Sequence, residues 1–334
     1  MTMENEYLQK LKKVASAFTA DDSGDIFFSK QIIFKAQSGQ KKEKLTSYLA
    51  GFIYSNCYCR NNTDAIFQNK IKPGEYEDHE FIGQLAEANT ATDNHSEKWQ
   101  IMFRMPNDYV MLGKGADNFS IHQSATIAET ATPVDTGPAY ATIKNPKEHS
   151  DEGSSFYYIF SDNPESRRSG SLLRFYWNIE PAGVPILIKR LTSGFNSHFV
   201  PFQFKCLKHP GLYSRHDAGV LYIFPKYVHI ACNIIQQFMD EVKPFLNEDV
   251  PMFTLKLCNG LAFAESPAGG QSFGMQHAQI LSEALITSFE NRMNEEQKLI
   301  HITETYRSIG YDLTCLYKNP ESINNYSFLK QKIN

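Results

Sequence analysis

From Leu172 to Ile179 the sequence carries a period of two. That spacing sets Leu172, Arg174, Tyr176 and Asn178 on one side of a strand and Leu173, Phe175, Trp177 and Ile179 on the other. One face is apolar, the other polar and aromatic. Around this strand the pattern predicts a helix over Val184 to Phe195, a second alternating strand over Pro201 to Leu207, and a compact apolar strand over Ala218 to Phe224. Pro225 stands where a helix begins, and Val228, Ile234, Ile235, Phe238, Val242 and Phe245 continue at helical spacing. A short strand over Phe253 to Leu257 and a helix over Met275 to Met293 follow. Strands and helices mix without a regular parallel repeat, so the chain reads as α+β with no internal repeat.

The first half is less regular. Tyr7, Leu8, Leu11, Val14, Ala15 and Phe18 predict an opening helix, and Leu45 to Tyr58 a second, with a strand or loop edge at Ile26 to Ala36 between them. Residues 60–97 read as an irregular connection, apart from periodic Phe81 to Ala88. Trp99 to Phe103 and Tyr109 to Leu112 flank the turn Pro106-Asn107-Asp108 as two strands, and Phe156 to Ser161 is another. Residues 129–153 are polar and rich in turn formers, with a short strand at Ala139 to Ile143. The expected division falls in the polar loop from Asn163 to Gly170: 1–165 a helical and irregular part that binds peptide or partner, 166–334 an α+β catalytic domain.

Composition narrows the class. With 334 residues, 42% apolar and 21% charged, the chain suits a globular protein with a sizeable core, not a disordered or fibrous one. Met1 to Lys13 is polar, and no run approaches the ~18 apolar residues of a membrane helix, so the expected location is cytoplasmic. Six scattered cysteines, with only Cys57 and Cys59 close together, read as buried reduced thiols and make no zinc site. Net charge is −4, yet Arg167 to Lys256 holds eleven Lys and Arg against six Asp and Glu. That local excess suggests an anion site and falls short of what coating a nucleic acid requires.

Several side chains could serve such a site. Arg174 and Tyr176, two apart on one strand face, could reach one anion, the guanidinium pairing with phosphate and the phenol donating a proton. A plain surface strand face is the competing reading. Lys205, flanked by Phe204 and Cys206 and near other cations, would have its pKa lowered and become a usable base; the alternative is a lysine snorkelling from an edge strand. Arg215 and Asp217 share a face, either as a phosphate fork fixed by a carboxylate or as a structural ion pair. Tyr222, Lys256 and His277 are further candidates, while His216 and His229 read as bystanders.

The order of motifs resembles the HopA-type effector family. The resemblance rests on Arg174-Phe175-Tyr176-Trp177-Asn178, Phe202-Gln203-Phe204-Lys205, Tyr213 to Tyr222 and Ala264 to Gly274, and covers mainly residues 156–290. It implies a phosphothreonine-lyase-like mixed or antiparallel sheet with flanking helices. It also implies β-elimination of phosphate from phosphoserine or phosphothreonine, giving dehydroalanine or dehydrobutyrine in a precursor peptide of lanthipeptide or thioamitide type. No metal or cofactor is implied. A phosphorylated precursor peptide is the implied partner, and because no nucleotide motif is present, a separate Ser/Thr kinase is expected to supply it; neither nucleic acid nor membrane is.

Carried over residue by residue, Lys205 is the base and Arg174 and Arg215 hold phosphate; beside them, on the reading of the residues themselves, Lys256 is a further phosphate-binding candidate and Asp217 and Tyr222 are supporting ones. The family pattern has Lys-Phe-His where this chain has Arg174-Phe175-Tyr176, so Tyr176 replaces a histidine acid. His277 stands where a basic residue is expected, as phosphate ligand or as the missing acid. The alternatives are a non-catalytic effector or interaction protein that keeps the scaffold, and a phosphatase, which would leave the hydroxyl in place.

Overall fold

The structure, a computed structural model, describes residues 3–37, 39, 41–68, 71–72, 74–96, 98–129, 139–151, 153–167 and 170–333. Residues 130–138 and 152 of the polar stretch 129–153, and residues 168–169 of the expected boundary loop, lie outside the described residues.

Helix α1 (Met3–Ala17) leads into a small antiparallel sheet of β1 (Phe18–Ala20), β2 (Ile26–Phe28) and β3 (Gln31–Phe34). Helix α2 (Lys42–Ile53) runs without a break into a π-helical turn, Tyr54–Tyr58. The connection expected to be irregular contains α3 (His79–Ala88), which buries Phe81 and Leu85 and starts where the Asp78 carboxylate accepts from the Phe81 amide. A six-stranded antiparallel layer follows: β4 (Asn94–His95), β5 (Trp99–Arg104), β6 (Tyr109–Lys114), β7 (Asp117–His122), β8 (Thr126–Glu129) and β9 (Tyr140–Asn145). Its β5–β6 turn places both Asn107 and Asp108 at φ 60°, as the tightest hairpin turns require. Val110, Leu112 and Ala141 give this layer a small core of its own.

The main sheet is assembled from β10 (Glu148–Ser150), β11 (Phe156–Phe160), β12 (Leu173–Trp177), β13 (Phe202–Leu207), β14 (Gly219–Ile223), β15 (Leu255–Cys258) and β16 (Leu261–Glu265). Spatially the order is β10-β11-β13-β14-β12-β16-β15, with every pairing antiparallel. It therefore draws strands from both sides of residue 165. Helices α4 (Val184–Ser197) and α5 (Val228–Val242) cover the apolar face, where Phe195 meets Phe202 and Trp177 stacks on Phe238. Helices α6 (Phe273–Glu290), α7 (Glu295–Ser308) and α8 (Phe328–Ile333) complete the chain.

One contiguous core runs from Tyr7 and Leu11 of α1 through the main sheet to Leu329 and Ile333 of α8. Helix α2 packs along α6, and α1 along α7. The α+β class holds. Strand β16 and helix α7 do not stand out in the sequence. The first is buried on both faces and so does not alternate, and the second is mostly polar and set by an Asn294–Gln297 capping box. After α7 the chain returns to clasp Glu265. That buried carboxylate accepts from Ser322 Oγ, Asn324 Nδ2, the Tyr326 hydroxyl and the Asn319 amide, all at 2.7–2.8 Å. No helix among the described residues is long and apolar enough to cross a membrane.

Candidate functional site

Antiparallel register decides which side chains share the face opposite α4 and α5. Arg174 stands opposite Tyr222 and Tyr222 opposite Gln203; one row along, Tyr176 stands opposite Val220, Val220 opposite Lys205, and Lys205 opposite Tyr158. Arg174, Tyr176, Lys205 and Tyr222 thus project from three adjacent strands to one side.

Aromatic rings space the cations. Lys205 Nζ lies 4.3 Å from the Phe156 ring centre and 5.8 Å from that of Tyr222. Beyond Tyr222 is Arg174, its guanidinium carbon 5.3 Å from the same ring; beyond Phe156 is Arg215, at 5.6 Å. The result is a row, Arg174–Tyr222–Lys205–Phe156–Arg215, in which each cation faces an aromatic ring.

The two arginines are held differently. Arg174 is buried, donating from Nε to Ser266 Oγ at 2.9 Å and from a terminal nitrogen to the Gln271 carbonyl at 2.7 Å. Arg215 grips both oxygens of buried Asp217 at 2.7 Å and also donates to the Tyr54 hydroxyl at 3.0 Å, which itself donates to Asp217 at 3.1 Å. Burial works against the Asp217 carboxylate, but the Arg215 guanidinium overrides it and holds the pKa down at about 2. The fork is thereby fixed with part of its donor edge left for a ligand.

Lys205 departs from its sequence expectation. Burial acts to depress its pKa, yet the Tyr222 hydroxyl, Asp217 and Tyr158 outweigh it and raise the ammonium above its ordinary value. The Tyr222 hydroxyl first, and then the Asp217 carboxylate, separate this from a cluster of cations alone. Lys205 is a cation at neutral pH.

Tyr176 is buried beside Arg174 and the Tyr58 hydroxyl. Burial raises its pKa, with Arg174 opposing, so at neutral pH it is an uncharged phenol. Phe273 packs 6.3 Å from Tyr176 and 6.1 Å from Tyr58, so the π-turn and the start of α6 roof this end of the row.

Two predicted residues lie elsewhere. His277 is fully buried behind Phe273, ringed by Phe253, Tyr306 and Tyr311, with Nδ1 3.1 Å from the Tyr306 hydroxyl. Burial drives its pKa down to about 3, so it is neutral and can neither attract phosphate by charge nor act as the acid. Lys256 shares the sheet face by register but stands four strand spacings from Lys205, roughly 19 Å at ~4.8 Å each. Its ammonium donates to the Glu248 carbonyl at 2.8 Å.

Sequence reasoning did not single out Phe156, Tyr54, Tyr58, Ser266 or Gln271. Ser266 and Gln271 lie inside the Ala264 to Gly274 motif, and Tyr54 and Tyr58 are one helical turn apart, a spacing that core residues share. A cavity of about 640 Å³ between α1, β1, β2, α6 and α7 contains none of the predicted residues.

A sequence profile of the HopA1 effector protein family matches residues 149–318, just over half of the chain. The chain belongs to the HopA1 effector protein family. The matched segment of this HopA1-family chain contains the whole cation row and Asp217 and excludes Tyr54 and Tyr58. Among solved structures, the effector protein from Pseudomonas syringae pv. tomato strain DC3000 aligns with a TM-score of 0.48 at 14% identity, covering 94% of this chain and 96% of that one. The effector from Pseudomonas syringae pv. syringae strain 61 aligns at 0.37 and 18% identity over 48% of this chain and 62% of that one. No curated protein matches the chain.

Proposed function

We propose that this HopA1-family protein is a phosphoserine/phosphothreonine lyase that eliminates phosphate from a phosphorylated precursor peptide made in lanthipeptide-type biosynthesis. The observation that carries the reading is the row of three cations on one sheet face, with a single carboxylate, Asp217, bonded into it and spent on one arginine. A phosphate dianion drawn into the row by either arginine would bring the adjacent Cα–H toward Lys205, which stands between Arg174 and Arg215.

In that arrangement neutral Lys205 Nζ takes the Cα proton. The C–H electron pair becomes the Cα=Cβ bond, the Cβ–O bond breaks, and its electrons leave on phosphate. A departing phosphate trianion would be strongly basic, so even a phenol of raised pKa can protonate it: Tyr176 gives that proton and recovers one from Lys205. The arginines hold the charge that develops. The peptide, the kinase that phosphorylates it, and a binding role for the amino-terminal part belong to the same proposal.

A second reading is favoured by His277, whose burial leaves the row without an imidazole acid: a non-catalytic effector that holds a phosphorylated partner on the same face. Mass spectrometry separates the two. A phosphoserine or phosphothreonine peptide incubated with the protein loses about 98 Da, the mass of phosphoric acid, and the loss vanishes with Lys205→Ala if the lyase reading holds. A loss of about 80 Da would mean hydrolysis with the hydroxyl retained and would sink it. An unchanged peptide that nonetheless binds selects the non-catalytic reading.

A further inference from the structure

The cation row does not end at Arg215. His216 donates its amide to the Cys59 carbonyl at 2.7 Å, which sets Arg60 beside the Arg215 segment. The Arg60 guanidinium carbon stands 3.5 Å from the Phe67 ring centre, and one terminal nitrogen donates to the Ser55 carbonyl. Its Nε is buried and finds no partner among the described residues. Burial, and with it the like charge of Arg215, lower its pKa, while Cys59 and Asp217 act the other way, so both Arg215 and Asp217 lie within electrostatic reach.

Charge then decides what this end can take. Arg60, Arg174, Lys205 and Arg215 are cationic and Asp217 is the carboxylate bonded among them. His216, whose pKa is lowered by burial despite Asp249 and Asp217, adds no charge at neutral pH. A phosphate monoester brings roughly −2 to a site whose cations outnumber its carboxylates, Asp217 and, beside His216, Asp249. An Nε that is buried with no partner among the described residues, on a segment hydrogen-bonded to that of Arg215, is a donor an anion would satisfy.

We propose that Arg60, with Arg215, forms a second anion subsite that reads an acidic group, carboxylate or phosphate, flanking the phosphorylated residue of the substrate. This rests on the phosphopeptide reading above.

The test is binding to the full chain, by fluorescence anisotropy at fixed ionic strength. The probes are phosphoserine-mimic peptides with a methylene in place of the bridging oxygen, which cannot lose phosphate, flanked by Ala, Glu or a second phosphoserine mimic of the same kind. The acid-flanked peptides are expected to bind about 10-fold tighter than the Ala-flanked one. That ratio falls to about 1 in Arg60→Gln and is partly kept in Arg60→Lys. A structural effect of the substitution would weaken all peptides together and preserve the ratio, which would overturn the inference, as would equal affinity for all flanks in the unaltered protein. Preference for Glu and phosphoserine alike supports a general anion subsite; preference for phosphoserine alone supports a doubly phosphorylated substrate. If no mimic binds better than its unphosphorylated counterpart, the phosphopeptide reading itself fails and this inference falls with it.

Discussion

At the scale of single residues, Lys205 joins two requirements that pull apart. Its surroundings favour the ammonium, whereas proton abstraction needs the free amine. The raised pKa therefore predicts that log kcat/KM for elimination climbs with pH, with a slope near one from about pH 7 toward pH 10; a bell centred near neutrality would assign the base to another group. Asp217 acts through Arg215, so Asp217→Asn should raise KM about 10-fold with a smaller change in kcat, as expected when a fork loses its fixed orientation. Equal losses in both parameters would contradict that role. The residues of the row were legible where alternation assigns a face: Arg174, Tyr176 and Lys205 follow from period two. Phe156 and Tyr54 were not, because an aromatic residue in a strand or helix reads as core whether it packs against a leucine or a cation. His277 was misplaced although Phe273, His277 and Leu281 trace one buried stripe of α6, which already puts the histidine inside.

Among elements, the π-turn Tyr54–Tyr58 does what a straight helix end would not. It lays Tyr54 against the Arg215–Asp217 pair and Tyr58 beside Tyr176, with the Tyr54 and Tyr58 rings stacked 5.5 Å apart. The close approach depends on Gly274, where a Cβ would stand 2.2 Å from a Tyr58 ring carbon. Gly274→Ala should cost about 1–3 kcal/mol by displacing α6 or the turn, measured as a lower denaturant midpoint, and should reduce elimination more than global unfolding explains. Full activity in a destabilised variant would show that the roof is dispensable. Helices and strands with one buried face were readable from their spacing. The turn between α2 and the row was not, since nothing in the 3.6-residue pattern distinguishes one extra residue in a helical turn from its absence.

For the whole molecule, His277 and Asp217 set the acid limit in the same direction, with His216 adding to the histidine limb. His277 is neutral when folded, with a pKa near 3, and gains a proton on unfolding, so its share of stability is complete above its ordinary value near 6.5 and drains away as pH falls toward 3. The loss is on the order of 5 kcal/mol across that window. Asp217, depressed to about 2, adds stability present above its ordinary value near 3.8 and lost as pH falls below it, about 2 kcal/mol more. Denaturant melts should show stability declining from about pH 6.5, well before carboxylates titrate, and His277→Phe should flatten that first limb while leaving the second. An unchanged first limb would mean that the imidazole is not the group responsible.

Strand order also has a meaning in time. Strand β12, which carries Arg174 and Tyr176, is flanked in space by β14 and β16, both of which follow it in the chain, and β16 ends in the Glu265 that Asn319 to Tyr326 enclose. During synthesis the amino acids that define the cation row are therefore all present long before their frame is. A ribosome-bound chain ending before Asn319 would hold Arg174, Lys205 and Arg215 without the clasp that closes the sheet around them. The row is framed only once Asn319 to Tyr326 have closed around Glu265.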